Sequence, residues 1–160
     1  MRDNALVYKA KLQKILKGID IHLSRIENAF AELSRQYPLP FCENDFAHIL
    51  SDSVSLAFAD QIIYRFSKAQ DSMGAKLFKA FMLYQGENVD KPFLDILNSL
   101  EKINILNVDE WFELREIRNE IAHNYENNEN IARNIINSIY KHKNELKQIL
   151  ESVYRKVEAP

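Results

Sequence analysis

Apolar residues recur every three or four positions along nearly the whole chain, and the pattern breaks only at a few small clusters of Pro, Gly and Asn. Asp3 or Asn4 can cap a first helix running to about Tyr37. Pro38-Leu39-Pro40 stops it, because Pro cannot continue a helix and disfavours helical geometry in the residue before it. Asn44 or Asp45 can open a second helix that lasts to about Tyr84, with Gly86 suited to its C-terminal cap. At 1.5 Å per residue that helix would be about 60 Å long. A bend is therefore expected, and Gly74 is its natural place.

Along this second segment Leu56, Ala59, Ile63, Phe66, Gln70, Met73, Leu77, Ala80 and Tyr84 form a heptad-like stripe. The spacing suits antiparallel bundle packing, so the stripe reads as core. Pro92 fits the first turn of a short helix over about 92–104. Asn107 to Glu110 reads as a capping-box-like start for a fourth helix. Residues 126–130, ENNEN, are a turn rich in capping residues, and a last helix runs from about Glu129 to Val157. The pattern predicts an all-α, antiparallel up-and-down bundle of four to five helices, two of them long, in a single domain over residues 1–160.

Composition narrows the partners. A formal charge of −2 and a pI near 6.1 speak against a broad nucleic-acid surface, and no DNA partner is expected. A small basic site remains compatible with these values. A single cysteine, Cys42, excludes an intramolecular disulfide and a cysteine-rich zinc site. His22, His48 and His142 are scattered and match no HExxH form, so no metal is expected. Gly-rich phosphate loops and a serine elbow are absent, and Cys42 sits in an ordinary loop before a helix, so no cofactor is implied. The N-terminal MRDNALVYKAKL lacks a signal-type apolar core, and no apolar run approaches the roughly 20 residues that span a bilayer. The expectation is a soluble, cytoplasmic protein without a membrane partner.

One stretch looks chosen for more than folding: LREIRNEIAHNYENN, residues 114–128. On an ideal helix Trp111, Leu114, Ile117, Ile121, Ala122 and Tyr125 share one side, and Arg118 falls among them. An unpaired buried Arg is costly. Arg118 must snorkel, pair with an acid such as Asp71 or Glu113, or face a cleft or partner subunit. His123 lies about 140° round from Arg118 and about 7.5 Å along the axis. One protomer therefore does not aim the two at a single point. Asn119, four residues before His123, could hold the imidazole in one tautomer. The plainer reading is a helix C-terminus with a favourable cation and Asn residues entering a turn. Arg65 and Asp71 are six apart and face differently; they suit support of a dimer or cleft as well as simple solvation. Lys141, His142 and Lys143 could touch RNA, but read more safely as a solvated face.

RNEIAHNY resembles the R-x4-H-x-Y signature of HEPN domains of the HepT toxin type, which pair with a minimal nucleotidyltransferase antitoxin. DQIIYRFSKAQDSMGAKLF at 60–78 resembles the long second helix of that group. FLDILNSLEKINIL at 93–106 and DEWFELREIRNEIAHNY at 109–125 resemble its third and fourth helices. Together these segments cover about half of the chain. Ala69 departs from the pattern, where a larger apolar residue is usual. The resemblance implies an HEPN-like bundle and a metal-independent endoribonuclease with Arg118 and His123 as catalytic pair, supported by Asn119. It also implies that the antitoxin transfers AMP to the Tyr125 hydroxyl.

The residue types fit that chemistry. RNA supplies its own nucleophile, the 2′-OH. Arg118 can grip phosphate oxygens bidentately, and His123 can move protons near neutral pH. In-line cleavage benefits from both an acid and a base, so a homodimer bringing two motifs into one composite cleft is expected. The helical projection lets the Tyr125 hydroxyl reach the same cleft, where AMP would block RNA by bulk and charge. The main rival is a non-catalytic nucleotide- or substrate-binding accessory subunit of a nucleotidyltransferase. A third reading is a structural bundle whose motif serves dimer packing.

Overall fold

The three-to-four-residue periodicity becomes helix with few interruptions. The computed structural model describes residues 2–158, and no strand occurs among them. Helix α1 spans Arg2–Ser34, α2 Glu43–Ser51 and α3 Ser53–Ser72. A π turn over Met73–Leu77 carries α3 directly into α4, Phe78–Tyr84. Then follow α5, Phe93–Lys102, α6, Val108–Asn124, and α7, Glu129–Glu158.

The direction of each helix follows from the residues it meets. Arg118 of α6 meets Asp71 of α3, while Tyr125, further along α6, feels Asp60, earlier on α3. The two helices are therefore antiparallel. Glu27 bonds Lys143 at 2.7 Å and Asp20 acts on Tyr154, which makes α1 and α7 antiparallel as well. The Tyr84 hydroxyl donates to the Val157 carbonyl at 3.4 Å, tying the C-terminal ends of α4 and α7. Thus α1 and α6 run one way, and the α3–α4 rod and α7 the other: an up-and-down helical bundle. One apolar core draws on every helix, with Leu16, Ile49, Phe66, Phe81, Leu97, Leu114 and Ile139 all essentially inaccessible.

Three features differ from the sequence expectation. The second segment is two helices, broken at Asp52, whose backbone is extended and whose carboxylate caps α3 by accepting from the Ser55 N–H at 3.0 Å and hydroxyl at 2.8 Å. The long rods are three, α1, α3 with α4, and α7, rather than two. Cys42, not Asn44 or Asp45, caps α2. Asp3 and Asn4 lie inside α1 rather than before it. Other expectations hold. Asn107 caps α6 by accepting from the Glu110 N–H at 3.0 Å. Gly86, at φ 80°, ends the rod, with Glu87 N–H donating back to the Met82 carbonyl at 2.9 Å. Gly74 lies in the π turn, where a Cβ would come within 3.2 Å of the Trp111 ring. Its missing side chain lets Trp111 pack against the rod, edge-on to Phe78 with ring centres 4.8 Å apart.

Candidate functional site

Helix α6 carries the motif, and its apolar stripe decides where each motif residue points. Trp111, Leu114 and Ile117 are buried, and Ile121 and Tyr125 pack half-buried against the core. Arg118 sits on the margin of this stripe, its side chain 28% exposed. Its Nε and Nη2 donate to the two carboxylate oxygens of Asp71, at 3.0 Å each. Of the two candidate acids it is Asp71 that takes Arg118; Glu113 turns toward His142.

Side-on pairing uses the inner edge of the guanidinium. Among the described residues the Nη1 group and the second Nη2 hydrogen make no hydrogen bond, which leaves them donors for another anion. Arg118 lines an open cleft of about 560 Å³ between α3, the π turn and α6. Gln70 and Asp71 form one side, Arg115, Arg118 and Asn119 the other, and Trp111 and Phe93 contribute apolar surface. Arg115 is exposed and, among the described residues, makes no ion pair. Gln70 is 5% exposed although it lines this cleft. Its position on the stripe reads as core in sequence; Arg115 carries no sequence signal that separates it from other surface arginines.

The other motif residues stand elsewhere. His123 is exposed in the last turn of α6 and is not part of the cleft lining. No hydrogen bond joins Asn119 to the His123 ring among the described residues; instead the His123 carbonyl accepts from Asn127 Nδ2 at 3.0 Å. The Tyr125 hydroxyl does not reach the cleft as the helical projection suggested. It is buried and, among the described residues, has no hydrogen-bond partner, and its pKa is pushed up to about 12 by burial first, then by Asp60 and Glu126. The physical reason is the direction of α6: Tyr125 lies toward Asp60, some three turns of α3 away from Asp71. Asp60 is raised in turn, by burial and then by Glu126. A single protomer thus places Arg118 and Asn119 in the cleft lining and leaves His123 and Tyr125 outside it.

Arg65 and Asp71 do face differently. Arg65 Nη1 lies 3.0 Å from His22 Nδ1 on α1, and burial, with Arg65 and Lys68, lowers the His22 pKa. The basic run of α7 is largely spent on acids, Lys143 on Glu27 and His142 on Glu145 at 2.9 Å. In sequence His142 stands apart from any metal pattern, yet the fold brings donor atoms of Glu113, His142 and Glu145 within 4.8 Å of one another. Two of the three, His142 and Glu145, are joined by a hydrogen bond at 2.9 Å. No helix among the described residues is long and apolar enough to cross a membrane. Neither a family model, nor a curated protein, nor a solved structure matches the chain.

Proposed function

We propose that the chain is an HEPN-like toxin of a toxin–antitoxin pair, a metal-independent endoribonuclease. The observation that carries this reading is Arg118: three-quarters buried, oriented bidentately by Asp71, with its outer N–H groups open to a cleft. A structural Arg needs only its acid; a permanently charged fork held at the edge of a cleft suits phosphate. The resemblance of RNEIAHNY to the HepT signature supplies the reaction class. Arg118 would stabilise charge on the phosphate. The RNA 2′-OH would attack phosphorus, the P–O5′ bond would break, and His123 would serve in proton transfer. The products are a 2′,3′-cyclic phosphate and a 5′-OH.

His123 stands outside the Arg118 cleft of its own protomer, so this mechanism needs a homodimer in which a second copy completes the site. An antitoxin nucleotidyltransferase would silence the toxin by adding AMP to Tyr125. The acceptor is now buried, so modification requires the last turn of α6 to open. The test is RNA cleavage by the purified chain, with end-group analysis. Cyclic phosphate ends, lost in a folded His123→Ala variant, are expected; cleavage persisting in that variant sinks the assignment.

The same separation of His123 from the cleft favours a second reading, an accessory subunit whose Arg118 and Arg115 hold a nucleotide without cutting it. Saturable nucleotide binding without RNA cleavage at any protein concentration would select it.

A further inference from the structure

We propose that Glu113 on α6, with His142 and Glu145 on α7, forms a zinc site that staples the two helices together. His142 and Glu145 are three residues apart and so share one face of α7. Glu113 reaches them from α6, about 140° round that helix from Arg118, and is not part of the cleft lining. His142 Nδ1 lies 2.9 Å from Glu145 Oε1 and 3.9 Å from Glu113 Oε2. One donor atom from each residue falls within 4.8 Å of the other two. Two ligands of a zinc ion, each about 2.0–2.2 Å from it, stand about 3.4 Å apart in a tetrahedron. The two distances to Nδ1 already bracket that value. The long Glu113 side chain, 60% exposed, is free to close the third.

Charge calls for a cation at this point. Among the described residues neither Glu113 nor Glu145 pairs with a Lys or Arg; each meets only His142, which is positive only when protonated. A neutral imidazole offers one N–H and does not neutralise two carboxylates. The His142 and Glu145 side chains are 18% and 23% exposed, which raises the cost of leaving that charge uncompensated. A second observation is independent of the hydrogen bond within the cluster. Glu145 Oε2 is shut off from solvent and has no hydrogen-bond partner among the described residues. A carboxylate shares its charge between both oxygens, so a cation held by Glu145 relieves the orphaned oxygen as well. The donor types select the ion. One imidazole nitrogen with two carboxylate oxygens suits zinc, whereas magnesium and calcium prefer oxygen alone. Three protein ligands leave the fourth tetrahedral position to water. No linear motif announces the site, because its ligands come from two helices. The staple fixes α6, whose following turns carry Arg118, against α7. It forms and breaks no bond of a substrate, so it stands beside a metal-independent RNA chemistry and does not rest on it.

The test uses the full chain, stripped of metal with EDTA and then dialysed. Calorimetric titration with Zn2+ alone is expected to show one saturable site per chain, with no comparable binding of Mg2+ or Ca2+. A hundredfold excess of Zn2+ over Kd is expected to raise the melting temperature by roughly 5–10 °C for a chain of this size. Glu113→Gln and His142→Gln are each expected to weaken Zn2+ about tenfold or more, since losing a direct ligand costs no less than losing an outer partner. His48→Gln, at an exposed histidine of α2, is expected to bind as wild type does. Absence of saturable Zn2+ binding, Mg2+ binding of equal strength, or wild-type affinity in Glu113→Gln overturns the proposal. So does Zn2+ binding that His48→Gln abolishes. Glu113 is mostly in solvent, so its variant decides the matter even where His142→Gln does not fold. None of these measurements uses RNA, so their failure leaves the ribonuclease reading standing.

Discussion

Arg118 and Asp71, one on α6 and one on α3, meet through two hydrogen bonds of 3.0 Å that leave the outer edge of the guanidinium open to the cleft. Asp71 is half exposed, so the pair contributes little to folding, on the order of 1 kcal/mol or less. Its consequence is geometric. Arg118→Lys keeps the charge but removes the planar fork. The expected result is a melting temperature within a few degrees of wild type and RNA cleavage lowered by tenfold or more, by analogy with other bidentate sites. Thermal melts and single-turnover cleavage on the same preparation measure both. Equal activity of the lysine variant would mean that Arg118 acts only as a structural cation.

Tyr125 yields a prediction of the opposite sign. Its hydroxyl is buried and, among the described residues, unpartnered, and its pKa is pushed up to about 12, chiefly by burial. Deleting an unsatisfied buried oxygen removes a desolvation cost of about 1 kcal/mol. Tyr125→Phe is therefore expected to raise the melting temperature by roughly 2–4 °C for a chain of this size. The same variant is expected to escape modification by a nucleotidyltransferase partner. A fall in stability would show that the hydroxyl is bonded in solution.

The contrast between these two residues shows what was legible in the chain. Periodicity and breakers gave α1, α5, α6 and α7 to within a few residues, because each boundary is local chemistry: a proline pair, Pro92, Asn107 capping Glu110, and the Asn-rich turn. The break at Asp52 was also local, an Asp accepting from Ser55, but the polar run Ser51-Asp52-Ser53 lies within an apolar period that overrode it. The site was half legible. Arg118 on an apolar stripe demanded a partner or a cleft, and has both. Which acid it takes, and that Gln70 and Arg115 share the cleft, depend on the register of α3 against α6, which no single helix encodes. The Tyr125 hydroxyl was misplaced for the same reason: a projection down α6 gives an angle, not the neighbouring helix that the side chain meets.

Stability should also depend on pH through His22. Arg65 approaches its Nδ1 at 3.0 Å; burial, then Arg65, then Lys68 lower its pKa from 6.5. The fold thus holds the ring neutral, with Nδ1 accepting from Arg65. Below about pH 6.5 the unfolded chain takes up a proton that the folded chain refuses. Stability is then lost as pH falls from 6.5 toward the lowered folded value, and is independent of His22 above it. Asp60 works the other way in more acid solution, because its raised pKa favours protonation in the fold. Urea denaturation at pH 7.5 and 5.5 should show the loss, and His22→Gln should reduce it. An identical pH dependence in the variant would remove His22 as the source.

A final prediction concerns the loop between α1 and α2. The Asn137 side chain, on α7, accepts from the Phe41 N–H and donates to the Phe41 carbonyl, each at 2.9 Å. Phe41 itself is 1% exposed, so its backbone groups have little access to replacement water. Asn137→Leu would leave both without their partner, at a cost of about 2 kcal/mol. The melting temperature is expected to fall by roughly 4–8 °C. Asn137 is not part of the Arg118 cleft, so nucleotide binding measured well below the transition should stay at the wild-type level. That separation makes the variant a control for the cleft substitutions, whose loss of binding must exceed what a destabilised but intact bundle shows. A fall of less than about 1 °C would mean that packing of the Phe41 ring alone holds the loop.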